Sequence, residues 1–364
     1  MHDKKDASLS LKLLGLAIYK YQNYATTKAS DDQPVRRNIF GGQMGCIHKQ
    51  EIDTAGSWHA ADFVGDQSWL VHFTDAEIAA LDHAVAAAMA RGLRFPDFGK
   101  DDFPLAGWAE RLQSFADELE NGRGFLLARG LPVNRYSDEE IEIAYFGIGL
   151  HLGQPVRQNP RGDLLGVVMN VGDPNDKKTR VYQTNKYLPY HTDPSDVVGL
   201  LCVRKAKQGG ESSLVSIAAL YNRLLRNHPE YLGLLHRPFY YAHLGGDLPT
   251  LSPLLSFCDG KLACRYLRQY IELGHEVMGA PLSQVEIEAL DIIDSITQDP
   301  VMRIDMMLEP GDIQLANNYM VMHSRTSFEG DEDPARYRKK LRLWLKMDNA
   351  RRLAPDFPWR NGFD

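Results

Sequence analysis

The sequence predicts a mixed α/β chain, mainly β, in which a sandwich or barrel core carries flanking helices and an insertion. Three observations lead there. Helical segments with paired caps fill the first half of the chain. After Pro155 the texture changes to short apolar runs separated by Gly, Pro, Asn and Asp clusters, the spacing of a β core. The last such run alternates strictly after Lys340, with a leucine at every second position, which is the period of a strand.

Residues 1–60 show no sustained period. Their glycine cluster, Gly41-Gly42-Gln43-Met44-Gly45, lacks the Lys-Ser/Thr that a phosphate loop needs, so the segment reads as an arm or a partner-contacting extension. Over Phe73 to Leu93 a helix is expected, opened by a Thr74/Glu77 capping box and closed at Gly92. A second helix is expected at about Leu105 to Leu119. The apolar run between Gly122 and Gly130 reads as a core strand. Ser137 with Glu140 opens a third helix that runs to Leu152. One more helix is expected at about Ile217 to Leu235.

Composition excludes several classes. With 364 residues, 44% hydrophobic and 24% charged, the chain has an ordinary globular composition. Its 48 acidic residues outnumber 41 basic ones for a net charge of −7, so the basic footprint of a nucleic-acid binder is missing. No run approaches 18 apolar residues, which argues against a membrane partner. The short apolar stretch Leu11 to Ile18 is broken by Lys12 and leads to no A-x-A site, so a cytoplasmic location is expected. Cys46, Cys202, Cys258 and Cys264 are scattered, as thiols of a reducing compartment are. The expected partner is a small molecule, and a homo-oligomer is left open.

The chemistry concentrates in Tyr182-Gln-Thr-Asn-Lys-Tyr-Leu-Pro-Tyr-His-Thr-Asp193. On a strand, residues i and i+2 share a face, so His191 and Asp193 present an imidazole and a carboxylate to one point. Two ligands of that type supply two corners of a facial two-histidine, one-carboxylate triad, a weak signal taken alone. His228-Pro229-Glu230 has the same spacing but follows a helical stretch, and is read as structural or solvated. Pro310 to His323 reads as a turn feeding a strand that delivers another histidine, 130 residues after Asp193. Arg338 and Arg342 follow, 15 and 19 residues after His323. Between Arg338 and Lys346, Leu341, Leu343 and Leu345 share one face, and Arg338, Lys340, Arg342 and Trp344 the other. Periodicity alone allows two readings: a solvated edge strand with its positive charges outward, or an inward cationic face, which is costly unless an anion sits there. A dicarboxylate gripped by a planar guanidinium would supply that anion.

In element order, His191-x-Asp193, Gly209-Gly-Glu-Ser212, Asn318 to Phe328 and Arg338 to Leu345 resemble the taurine dioxygenase and clavaminate-synthase-like family. The similarity spans roughly residues 60–348 and is most specific in 181–216 and 309–346. It implies a double-stranded β-helix (a jelly roll, cupin-like) that uses iron(II), 2-oxoglutarate and O2. His191, Asp193 and His323 match the family's iron ligands. Arg338 matches the arginine that pairs with the far carboxylate of 2-oxoglutarate, and Ser212 stands where a threonine often lies beside it. Arg342 matches a second arginine near the 2-oxoglutarate C1 end or an anionic substrate group. The implied reaction is hydroxylation, desaturation or cyclisation at an unactivated C–H bond, with release of succinate and carbon dioxide. Related halogenases carry a small residue in place of the carboxylate, so Asp193 argues against chlorination.

The substrate is expected to be a small polar metabolite, anionic or amino-acid-like, from natural-product or amino-acid metabolism. Candidate contacts are Asn185, Tyr187, Tyr190, Arg342 and His243. Tyr187 stands where taurine dioxygenase has a substrate-contacting asparagine, which argues against taurine. The alternatives are a metal-dependent hydrolase or isomerase, or a non-catalytic 2-oxoglutarate-binding protein, on the same barrel. Because the ligands lie so far apart, one catalytic domain is expected over 61–350, with an insertion or lid at about 244–299 and a tail at 351–364. Other histidines (His72, His83, His151, His275) are expected to be structural.

Overall fold

The structure, a computed structural model, describes residues 47–170, 184–242, 248–358 and 362. His243, Gly245, Gly246 and the Gly41–Gly45 cluster lie outside them. The described chain runs β1 (Leu70–His72), α1 (Asp75–Ala90), α2 (Ala109–Asn121), β2 (Phe125–Arg129), α3 (Asp138–Leu152), β3 (Gln154–Pro155), β4 (Leu165–Val168), β5 (Leu188–His191), β6 (Val197–Arg204), β7 (Gln208–Gly209) and β8 (Ser212–Ser216). It continues through α4 (Ile217–Asn227), α5 (Pro229–Leu235), β9 (Pro238–Tyr241), β10 (Thr250–Pro253), β11 (Leu255–Cys258), β12 (Lys261–Cys264), α6 (Arg268–Val277) and α7 (Gln284–Gln298). It ends with β13 (Arg303–Met306), β14 (Ile313–Asn317), β15 (Val321–Arg325), β16 (Phe328–Glu329) and β17 (Lys339–Lys346).

The expected helix starts are where the caps place them. Thr74 accepts from the Glu77 amide and Ser137 from the Glu140 amide, each with the reciprocal carboxylate bond. The single helix expected at about Ile217 to Leu235 is two. Pro229 has no N–H to continue the ladder and starts α5, while His228 ends α4.

Two sheets make a double-stranded β-helix. One has seven strands in the order β1-β2-β14-β6-β17-β3, with β4 also paired to β17; the other has four in the order β13-β8-β15-β5. Alternation along each strand sorts side chains between three apolar layers. Ile313, Leu315, Leu341, Leu343 and Leu345 face outward against Leu81, Trp108, Leu112 and Ile141 on α1–α3. Tyr190, Val215 and Met322 face outward on the other side, against Leu220 and Tyr221 of α4 and Leu290 and Ile293 of α7. Between the sheets lie Phe125, Leu127, Val198, Cys202, Ala316 and Trp344 from the first and Leu214, Val321 and Met306 from the second.

β17 is therefore an internal strand, paired with β6 on one side and β3 and β4 on the other. The solvated-edge reading of its charges does not hold: Lys339 to Leu345 are all buried. Most of the segment expected as an insertion is a packed layer, since Leu254, Leu262, Ile271 and Ile293 join the core beneath the four-stranded sheet. In the tail, Phe357 is buried against Tyr319 and Ala263, and the Gly362 amide donates to the Pro194 carbonyl at 2.6 Å.

Close packing of α3 on β17 gives a test. Gly149 lies mid-helix, where alanine normally adds about 1 kcal/mol of helix stability. Here an added Cβ would stand 2.2 Å from Leu343 Cδ2. Overpacking of that kind costs about 1–3 kcal/mol, so Gly149→Ala should lower the denaturation midpoint in urea; a rise would contradict this packing.

Candidate metal and cosubstrate site

Strand register builds the site. On the four-stranded sheet, His323 of β15 lies directly opposite His191 of β5 and Leu214 of β8. All three point inward, because their neighbours Tyr190, Met322 and Val215 point into the outer core. Asp193 follows two residues after His191. The imidazole and carboxylate ligand atoms of His191, Asp193 and His323 lie within 4.8 Å of one another, and the two imidazole centroids are 4.2 Å apart.

Hydrogen bonds orient these groups. His191 Nδ1 donates to the Pro189 carbonyl at 2.8 Å, which turns the Nε2 lone pair toward the shared point. The Asp193 amide donates to Asn318 Oδ1 at 2.9 Å, and Asn318 in turn donates to the Ser195 carbonyl and hydroxyl at 3.1 Å each. This fixes the turn that carries the carboxylate. From the facing sheet, Trp344 Nε1 donates to Asp193 Oδ2 at 3.0 Å and Arg342 Nη1 stands 3.7 Å from Oδ1. Asp193 Oδ2 is also 3.6 Å from His323 Nε2.

The electrostatics suit a divalent cation. Burial would raise the Asp193 pKa, but the Arg342 charge and the adjacent His323 outweigh it and hold the carboxyl well below the usual range. Burial, then the neighbouring His323, pushes His191 down to about 4 despite the Asp193 charge. Near neutrality the set is thus an anionic carboxylate beside a neutral imidazole, the forms in which such groups bind iron(II).

The seven-stranded sheet presents its own inward rows. Ala316, Val198 and Trp344 form one; Gln314, Leu200 and Arg342 the next; Cys202 and Lys340 the next. Arg338 precedes β17 on the same face. Arg342 stacks on Trp344, 4.6 Å from the ring centroid, and donates through Nε to Gln158 Oε1 at 2.8 Å. Gln158 also donates to the Arg342 carbonyl at 2.8 Å. The guanidinium is therefore clamped before any ligand arrives.

Farther along, Arg338 is 4% exposed and packs over Phe328, 5.0 Å from the ring centroid. Its Nη1 has no hydrogen-bond partner among the described residues, and neither has Gln314 Nε2. Ser212 Oγ donates to Gln314 Oε1 at 2.5 Å. Burial, the largest influence, lowers the Arg338 pKa to about 10. Buried donors without acceptors are costly, so this end of the barrel suits a carboxylate.

The structure brings His191, Asp193 and His323 together, sets Arg342 beside Asp193, and gathers Arg338 and Ser212 on the same interior. It does not bring Tyr190 there: that side chain faces the outer core, its hydroxyl bonded to Ser213. Alternation from His191 alone could have shown this. Tyr187 is 40% exposed with its hydroxyl accepting from Gln298 at 2.6 Å, and Asn185 is exposed. His151 bonds the Phe103 carbonyl and His275 the Ala280 carbonyl, as structural histidines do. His228 and Glu230 lie outside the metal-ligating group. Sequence reading missed Gln158 and the indole bond from Trp344; the strand alternation had placed Trp344 on the inward face but gave it no partner.

Comparison with known proteins agrees with this chemistry. Residues 90–344 match the taurine catabolism dioxygenase TauD, TfdA family. An FR-33289 synthase of Streptomyces rubellomurinus is 31% identical, over 84% of this chain and 94% of its own. A taurine hydroxylase-like protein, SAT17, of Stachybotrys chartarum is 27% identical over 82% of this chain and 81% of its own. Among solved structures, asparagine oxygenase with Fe(II), 3-hydroxyasparagine and succinate superposes with a TM-score of 0.61 at 15% identity, covering 76% of this chain and 93% of that one. The non-heme iron oxygenase OrfP, with Fe and alpha-ketoglutaric acid, superposes at 0.58 and 16%, covering 77% and 94%. The chain belongs to the TauD, TfdA family and is an iron(II)- and 2-oxoglutarate-dependent oxygenase.

Proposed function

We propose that this enzyme oxidises an unactivated C–H bond of a small anionic, amino-acid-like metabolite, releasing succinate and carbon dioxide. In this reading His191, Asp193 and His323 hold iron(II). Arg338, with Ser212 beside it, holds the far carboxylate of 2-oxoglutarate, and Arg342 serves the C1 end of the cosubstrate or an anionic group of the substrate. The observation that carries the reading is the convergence of the three ligand groups at one buried point, with unsatisfied cationic donors farther along the same interior. When bound, iron(II) and the 2-oxo acid together supply the oxygen activation that attacks the C–H bond.

The chain's own residues do the rest. Arg342 keeps Asp193 ionised, and the Trp344 indole bond fixes its orientation. Leu200, Val198 and Leu214 line the interior and exclude water, which strengthens every charge interaction there. Asp193 supplies a carboxylate where a halogenase would need room for chloride, so hydroxylation, desaturation or cyclisation is the expected outcome. The amino-acid class is supported by the solved neighbours, which hold hydroxyasparagine in one case and hydroxyarginine in another.

Oxygen consumption across a panel of amino acids and anionic metabolites tests the substrate class; turnover confined to uncharged substrates would contradict it. His191→Ala and Asp193→Ala should each eliminate succinate formation while the circular dichroism spectrum and cooperative melting persist. Succinate production at wild-type rate in either variant would remove that residue from the ligand set. Trp344→Phe keeps the stacking surface but deletes the indole donor to Asp193. Loss of a hydrogen bond to a metal-binding group typically weakens metal affinity by about 10–100-fold. An anaerobic metal titration should show that loss, and an unchanged affinity would mean the indole is not needed to hold the carboxylate.

A further inference from the structure

The barrel interior carries more positive charge than the reading above uses. Arg342 is engaged with Asp193 and Gln158. Arg325, Arg338 and Lys340 are not matched in that way, although they are only 5%, 4% and 4% exposed. Arg325 spends its Nε and Nη2 on the carbonyls of Thr326, Thr184 and Lys186, and its Nη1 has no partner among the described residues. Its guanidinium and that of Arg338 both pack on the Phe328 ring, at 4.8 and 5.0 Å. The Lys340 side chain makes no hydrogen bond or ion pair with any described residue.

Register fixes where the Lys340 side chain stands. It lies opposite Cys202 on β6, whose thiol faces the interior core. It shares the inward face of β17 with Arg338, two residues and about 7 Å away. The charged and titratable groups that act on it are Arg338 just before its own strand, Arg325 from β15, Cys202 from β6 and Asp312 just before β14. The last of these, a fully buried carboxylate, is already held by Arg129 through two 2.7 Å bonds. Burial, followed by the Arg338 charge, lowers the Lys340 pKa to about 7. A lysine so placed is buried as a residue and has no partner among the described residues. That arrangement is expensive unless a ligand supplies the counter-charge.

We propose that Lys340 is a second anchor for 2-oxoglutarate, its ammonium gripping the same far carboxylate as the Arg338 guanidinium. The proposal rests on the assignment of Arg338 to that carboxylate. Its consequence is a proton-linked cosubstrate. An anion beside Lys340 stabilises the ammonium and raises its pKa, so binding takes up a proton when the free enzyme holds the amine partly neutral. Affinity for 2-oxoglutarate should then fall as pH rises through about 7.

The test is an anaerobic titration of the iron(II)-loaded protein with 2-oxoglutarate and with 2-oxopentanoate, which carries a methyl where the far carboxylate would be. Lys340→Met should weaken 2-oxoglutarate binding by about tenfold or more and leave 2-oxopentanoate unchanged. It should also raise the melting temperature of the free protein, because an unpaired buried charge is gone. Binding of 2-oxoglutarate within twofold of wild type, or equal loss of both 2-oxo acids, would overturn the proposal. Arg338→Met separates the two levels. If it alone loses the preference for 2-oxoglutarate, Lys340 is no anchor; if it too keeps the preference, the pocket assignment itself fails. Calorimetry of the wild-type protein in two buffers of different ionisation heat needs no variant: proton uptake at pH 7.5 supports the proposal, and none contradicts it.

Discussion

The bond from the Trp344 indole to the Asp193 carboxylate, reinforced by Arg342, is the interaction on which the rest of the site depends. It joins the two sheets of the barrel at their shared interior. Asp193 hangs from the turn after β5 on the four-stranded sheet, whereas Trp344 and Arg342 belong to β17 of the seven-stranded one. A buried carboxylate without such partners would take up a proton. With them it stays anionic and can face a metal. The same contact sets the distance between the histidine pair on one sheet and the cationic face on the other.

That cationic face is the structure's main electrostatic imbalance. Helix packing on the leucines of β17 drives its other face inward, so folding the outer core necessarily buries Arg338, Lys340 and Arg342. A hydrophobic layer thus enforces a charged one. The cost of burying such cations is on the order of several kcal/mol each when nothing balances them. Only Arg342 has a counter-charge that also belongs to the metal site. In the proposed reading the remaining charge gives the interior a direction, with the iron end near Trp344 and the end for the cosubstrate's far carboxylate near Arg338. A dicarboxylate chelating a metal at one end and ion-paired at the other matches that direction.

Much of this was legible in the sequence, and the reasons are specific. The i, i+2 spacing of His191 and Asp193 still brings both groups to one point, although β5 pairs with a register shift between Leu188 and His191 and ends at His191. The alternation of Leu341, Leu343 and Leu345 with Arg342 and Trp344 is a local pattern, so it reads directly. Whether β17 was an edge or internal strand was not local; it depended on pairing with β6, about 140 residues earlier in sequence. The Gln158 clamp on Arg342 joins residues 184 apart and carries no motif. Tyr190 was drawn into the site by proximity to His191, although adjacent residues on a strand face opposite ways. Lys340 stood on the inward face in the sequence too, but only the missing partner in the fold distinguishes it from an ordinary strand lysine.

A crystal structure of the anaerobic complex with iron(II) and 2-oxoglutarate tests the central claim most directly, because it reads metal and anion ends together. The expected result is iron bonded to His191, Asp193 and His323, with the far carboxylate of the cosubstrate against Arg338 and the Lys340 ammonium. Metal bound through other residues, or a far carboxylate turned away from the inward face of β17, would contradict it.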